Sequence, residues 1–330
     1  MQKLVHPKDA LFAGEKPFPV LAACEHFAGS KKLIDKALAL QSEYGPIFDI
    51  TADCEDGAPA GEEIAHANMV ADSIASPQNV FKRIGARIHD PAHRSWKEDV
   101  DILLAKAGRD IAYITIPKAT SFAQAETAAA YVQETARHLQ LSRAIPLHVL
   151  VETHGALRDV AQIATIPNLE VIDFGLMDFV SGHNGAIAAS QMRSPGQFEH
   201  RLIVRAKAEV AAAALANGVV PSHNVCLNLK DADVVRQDAS RARNELGYLR
   251  MWSIYPAQIK PIVEAMQPAY EEVADAAEIL LAAQTADWGP TQYKGELHDR
   301  ATYRYFWVVL EKAKATGMAL PQAAIDRFFA

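Results

Sequence analysis

Eight short apolar runs alternate with amphipathic segments along the 330 residues of this chain, and that alternation restricts the fold more than any other feature. The runs are Pro19–Cys24, Ile47–Ala52, Phe81–Ile88, Ile111–Ile116, Leu147–Val151, Val171–Leu176, Asn224–Leu229 and Met251–Tyr255. Most are almost continuously apolar, the pattern of parallel strands buried on both faces. Between them Lys31–Glu43, Ser121–Leu139, Gln197–Asn217 and Val234–Leu246 carry apolar residues at helical spacing. Eight strands alternating with helices predict an α/β fold of the (β/α)8 TIM-barrel type over residues 1–270. A doubly wound sheet is the alternative, and polar residues at the strand ends favour the barrel. Residues 271–330 read as a C-terminal helical extension or lid, with helices at Glu271–Ala286 and Asp299–Thr316 and a loop over Asp287–Gly295.

The net charge of −7 argues against a nucleic-acid-binding surface. No stretch approaches the ~20 uninterrupted apolar residues of a membrane span. The opening residues lack the apolar core of a signal peptide. Cys24, Cys54 and Cys226 form no C-x-x-C pair and read as free thiols of a reducing compartment. The expectation is a cytoplasmic protein with no nucleic-acid or membrane partner.

Two of the runs end in carboxylates, at Glu152 and Asp178. Side by side on a barrel rim, these would offer hard oxygen ligands to a divalent cation, Mg²⁺ or Mn²⁺ rather than Zn²⁺. The second run ends in Asp53-Cys-Glu55-Asp56, whose clustered charge suits an outer shell around a metal; a solvated turn with Asp56 capping a helix is the other reading. Arg87 ends the third run, where it can bind a carboxylate or thioester oxygen or pair with the neighbouring acids. Lys118 ends the fourth. A Schiff-base amine prefers a desolvated pocket without acids, so an electrostatic role is favoured here. His89, His154 and His183 lie near strand-end loops without zinc spacing and read as hydrogen-bonding neighbours. No G-x-S-x-G, Walker A or G-x-G-x-x-G sequence occurs.

In order along residues 45–280, these motifs resemble those of the HpcH/HpaI aldolase and citrate lyase β-subunit family, particularly its CitE-like and malyl-CoA lyase branch. They are Asp53-Cys-Glu55-Asp56, Arg87-Ile-His, Pro117-Lys118, Val151-Glu152-Thr153, Gly175-Leu-Met-Asp178 and Ile254-Tyr-Pro256-Ala-Gln258-Ile. The resemblance implies a Mg²⁺-dependent carbon–carbon lyase with Glu152 and Asp178 as metal ligands and Arg87 on the carbonyl or thioester oxygen. It implies substrate contacts at Pro256 and Gln258. The sequence Gly295-Glu-Leu-His-Asp299 is similar to a family lid motif, which makes Asp299 the implied acid–base group. The implied reactants are an acyl-CoA or acyl-carrier thioester and a 2-oxo acid, joined as a citryl- or malyl-CoA-like ester. The implied assembly is a homotrimer or homohexamer. The chain departs from the family's opening Arg-Ser pair, having Cys24-Glu25-His26 there, and has Tyr255 for a His and His66 where an Ala-Arg pair is usual. Those departures keep two alternatives in view: a CoA-free aldolase yielding pyruvate, and a non-catalytic thioester-binding paralogue.

Overall fold

The computed structural model describes residues 4–15 and 18–330. The chain forms two compact units, Ala22–Met266 and a second that joins residues up to Leu21 with Gln267–Ala330. The sequence division at residue 270 kept the N-terminal segment with the barrel, whereas Leu11 sits in the apolar core of the C-terminal helices. None of the described helices is long and apolar enough to cross a membrane.

The larger unit is a closed barrel of eight parallel strands in chain order, the expected TIM barrel. The strands are β1 (Cys24–Ala28), β2 (Phe48–Asp53), β3 (Ile84–Arg87), β4 (Ile114–Ile116), β5 (Leu147–Val151), β6 (Leu169–Phe174), β7 (Val220–His223) and β8 (Arg250–Ser253). β1 pairs with both β2 and β8, which closes the ring.

Alternate residues on each strand face opposite ways. One set packs under the helices: Phe48, Ile50 and Ala52, Ile84 and Ala86, Ile114 and Ile116, with Leu147, Val149 and Val151. The other set fills the barrel, and much of it is polar. Glu25, Asp49, Thr51, Thr115, His148, Asp173, Ser222 and Arg250 are all buried. Barrel interiors usually carry bulky aliphatic layers, so the strands are less uniformly apolar than the sequence reading held.

Polar residues also displaced two strands from their expected positions. Pro19–Cys24 was expected for the first, which instead runs through Glu25 and His26 to Ala28. Asn224–Leu229 was expected for the seventh, which is Val220–His223. In both, the true strand holds residues whose polarity argued against it, yet each finds a place inside the barrel wall.

His26 is one of these. It is buried, and its Nδ1 lies 2.7 Å from the Ser253 hydroxyl. Burial, with a smaller contribution from Lys36, lowers its pKa from 6.5 to about 4. A depressed histidine pKa means that between these values the unfolded chain takes up a proton the folded chain refuses. Stability therefore falls as pH drops from 6.5 towards 4. His26 alone is expected to remove about 2 kcal/mol between pH 7 and pH 5. Urea unfolding at the two pH values should show this loss in the wild type and a loss smaller by that amount in His26→Gln. An equal loss in both proteins would exclude His26 as its source.

In the second unit, helices Pro7–Phe12, Tyr270–Thr285 and Arg300–Ala315 close over a core that includes Leu11, Val273, Leu280, Tyr303 and Trp307. The segment expected as a loop contains a hairpin, Thr291–Tyr293 with Glu296–His298. Its two-residue turn places Lys294 and Gly295 at φ +48° and +87°, the left-handed conformations that a tight hairpin turn requires.

Candidate active site

A cavity of about 330 Å³ opens in the barrel unit and is lined by Asp53, Arg87, Glu152, Gly175 and Asp178 with apolar Phe27, Leu227 and Trp252. The polar members come from the ends of β2, β3, β5 and β6: β2 and β3 end in Asp53 and Arg87, and Glu152 directly follows β5. Asp178 is placed differently from the sequence expectation. β6 ends at Phe174, and Asp178 sits in the first turn of the helix Leu176–Ser181 that follows.

Glu152 is fixed from several directions. The backbone N–H of Lys118 donates to its Oε1 at 2.8 Å. Lys118 adopts φ +48° to present that group. The next residue, Thr153, donates to the Ala119 carbonyl at 2.7 Å and accepts from Ala156 N–H at 3.0 Å, which caps the following helix. Gly175 allows the carboxylate its position, because a Cβ there would fall 2.4 Å from Glu152 Oε2. Burial raises the Glu152 pKa from 4.5 to about 8, Asp178 adds to the rise, and Arg87 opposes it.

Arg87 is clamped by the acidic turn. Its Nε and Nη2 donate to the two oxygens of Asp53 at 2.7 and 2.6 Å, and its Nη1 lies 3.1 Å from Glu55. Asp53 also accepts backbone N–H bonds from Glu55 and Gly57. Although burial opposes it, the guanidinium holds the Asp53 carboxyl below its ordinary pKa. His66 ties the turn down through a 2.8 Å bond to the Asp53 carbonyl. A guanidinium has five N–H groups. Two of them hydrogen-bond Asp53, and Nη1 is ion-paired with Glu55 and Asp56, while the side chain lines the cavity.

Lys118 Nζ reaches Glu55 at 2.6 Å and Asp56 at 2.8 Å. Burial works against its charge, but these carboxylates prevail and push its pKa up. The amine is thereby held in its charged form between two carboxylates. Glu55 and Asp56 thus offset Arg87 and Lys118, and Asp53 and Asp56 line the cavity.

Gln258 and Pro256 are not brought to the cavity lining. Gln258 Nε2 donates to the carbonyls of Cys226 and Asn228, and its Oε1 accepts from Ile254 and Tyr255 N–H. With its whole amide engaged, it fastens the loop after β7 to the loop after β8. Asp299 belongs to the second unit, where it caps the helix Arg300–Ala315 by accepting from Ala301 N–H at 2.9 Å.

The three histidines are hydrogen-bonding neighbours. His89 bonds Asp99 at 2.6 Å, while His154 and His183 bond the carbonyls of Gly182 and Phe179. The cavity also uses residues that sequence reasoning missed. Phe27 and Trp252 stack at 4.3 Å, and Arg87 lies over Phe27 at 5.3 Å. Asn224 and Leu227 line the wall from beyond β7.

The sequence matches the HpcH/HpaI aldolase/citrate lyase family over residues 48–249. The chain belongs to that family. A citrate lyase crystal structure from Burkholderia xenovorans LB400 shares 53% identity, covers 98% of this chain and all of its own, and superposes with a TM-score of 0.84. The L-malyl-CoA/β-methylmalyl-CoA lyase of Rhodobacter capsulatus is 28% identical over 92% of this chain and 98% of its own length. A CitE structure from Mycobacterium tuberculosis, in complex with magnesium, acetoacetate and coenzyme A, has the same fold at 21% identity and a TM-score of 0.66, over 89% of this chain and 98% of its own. The named relatives are carbon–carbon lyases, and this HpcH/HpaI family member is an enzyme of that class.

Proposed function

We propose that this family member is a Mg²⁺-dependent lyase that cleaves or forms a 3-hydroxyacyl thioester of the malyl- or citryl-CoA kind. One observation carries the reading: Glu152, Asp178 and Arg87 line one cavity. The donor set suits the ion. Two carboxylates supply hard oxygens, and a buried carboxylate whose charge is disfavoured beside a second acid is one that a cation would stabilise. Glu152 and Asp178 would hold Mg²⁺, with Mn²⁺ as a substitute. Bound there, the ion would act as a Lewis acid on the oxygens of the 2-oxo acid portion.

The remaining chemistry belongs to the chain. Cleavage begins with loss of the substrate hydroxyl proton, for which Asp299 is the proposed acceptor. The C–C bond electrons move onto the thioester carbonyl, which becomes an enolate, and the 2-oxo acid leaves. The Arg87 guanidinium would meet the developing enolate oxygen, and its clamped geometry means little reorganisation is needed. Lys118, Glu55 and Asp56 keep that guanidinium in place. The apolar floor of Phe27 and Trp252 lowers the local dielectric and strengthens each of these interactions.

Mass spectrometry of the protein with acetyl- or propionyl-CoA plus glyoxylate or oxaloacetate tests the reading. A malyl- or citryl-type product is expected with Mg²⁺ and not with EDTA. Pyruvate released from CoA-free hydroxy-oxo-acids, with no thioester product, would overturn it in favour of an aldolase. Asp299→Asn separates the proposed acid–base role from helix capping, because Asn caps as well as Asp. Its melting temperature should stay at the wild-type value while turnover falls by about 10²-fold or more. Wild-type turnover would remove Asp299 from the chemistry.

A further inference from the structure

We propose that the barrel interior holds a second metal site, for a divalent transition ion, formed by Glu25 of β1, His148 of β5 and Asp173 of β6. All three side chains are fully buried, and they offer ligand atoms within 4.8 Å of one another. They lie two residues before Phe27, Leu150 and Gly175 on the inward face, one layer deeper than the cavity. They are therefore separate from Glu152 and Asp178.

The local bonding points the free atoms at one spot. Thr51 Oγ1 donates to Glu25 Oε1 at 2.5 Å, which leaves Oε2 between the imidazole and Arg250. Trp252 Nε1 donates to Asp173 Oδ1 at 2.5 Å, which leaves Oδ2. His148 Nδ1 stands 3.6 Å from Glu25 Oε2 and 4.0 Å from Asp173 Oδ2. Neither ring nitrogen has a hydrogen-bond partner, nor do those two oxygens, although Glu25 Oε2 also stands 3.2 Å from Arg250 Nη2. The imidazole cannot swing away, because it stacks on Tyr113 at 3.7 Å. Tyr113 is held by Thr51 at 2.7 Å and occupies the space that Gly85 leaves open.

Buried polar atoms are almost always partnered, so this group calls for an occupant. The spacings are too long for hydrogen bonds. The 3.6 Å spacing is that of a ligand shell, in which donors at ~2.0–2.2 Å from a tetrahedral ion stand roughly 3.3–3.6 Å apart, and the 4.0 Å spacing would have to close slightly around the ion. Carboxylates fixed through their second oxygen are the usual support for such ligands.

Charge allows a cation. Glu25 and Asp49 face Arg83 and Arg250. Arg250 Nη2 lies 2.7 Å from Asp49 and 3.2 Å from Glu25, and Arg83 lies 2.9 Å from Asp49. These four charges cancel, so with the imidazole neutral one negative charge is left once Asp173 gives up its proton to take the ion. An imidazole nitrogen with two carboxylate oxygens favours Zn²⁺, Fe²⁺ or Mn²⁺ over Mg²⁺. The ion would join β1 and β5, which stand across the ring from each other. Through Asp173 it would also steady Trp252, and with it the stacked floor under Arg87.

The test is the metal content of the full-length protein by plasma mass spectrometry. The protein would be grown with Zn²⁺, Mn²⁺ and Fe²⁺ and then treated with EDTA to strip weakly held Mg²⁺. About one equivalent of a transition metal per chain is expected to survive, as slow release from a buried site requires. Glu152→Gln should retain it, whereas His148→Gln and Asp173→Asn should fall to background. Folded wild-type protein at background, both as purified and after refolding with each ion, would overturn the proposal and assign the position to a proton or buried water. If either ligand variant fails to fold, the wild-type count decides alone. Loss of the metal from Glu152→Gln would place it in the cavity and likewise overturn the proposal.

Discussion

Glu152→Gln is expected to reduce turnover by about 10³-fold or more and to remove the response to added Mg²⁺. The amide oxygen can still accept the Lys118 N–H, so the strand end keeps its shape while the charge is lost. Stability should move the other way. The Glu152 pKa is raised from 4.5 to about 8, so between these values the folded chain holds a proton that the unfolded chain has released, and stability falls as pH rises until the loss is complete near 8. In EDTA above pH 8 the variant should therefore melt higher than the wild type. Steady-state rates across a Mg²⁺ titration, with calorimetric melting at two pH values, check both parts. Mg²⁺-dependent turnover retained in Glu152→Gln would remove the residue from the metal's ligand set.

Arg87→Ala combines two losses. Removing a fixed donor from a developing oxyanion typically lowers kcat by about 10²–10³-fold. Removing one partner of a buried pair also leaves the Asp53 carboxylate uncompensated, at a cost of about 3–5 kcal/mol. Arg87→Lys should restore part of the stability but little of the rate, since an ammonium cannot reproduce a bidentate clamp. Urea unfolding and kcat measured on the same preparations separate the two effects. Near-wild-type kcat in Arg87→Ala would exclude the guanidinium from enolate stabilisation.

The barrel was legible because its outward residues, such as Phe48, Ile50 and Val149, are apolar wherever a helix covers them. The rim residues Asp53, Arg87 and Glu152 were legible too. A charge that directly follows such a run has few places to go but the mouth. Residues facing inward left no such mark. Glu25, His148 and Asp173 carry polarity that argues against a buried strand until the barrel closes around them. Phe27 and Trp252 become a cavity floor only once register sets them side by side, which no local pattern encodes. Gln258 shows the opposite error. It sits inside a family-like motif, yet backbone groups from two loops engage its whole amide.

The second unit is assembled from both ends of the chain, with Leu11 packed among residues near 273–328. During synthesis the helix Pro7–Phe12 leaves the ribosome long before its partners exist. At about 5–20 residues per second, the delay before the last of those partners appears is of the order of 15–60 s. The barrel can close within that interval, whereas the N-terminal helix must wait with Leu11 unprotected. Binding of a chaperone or tag near the N-terminus would thus interfere with the second unit and leave the barrel free to form.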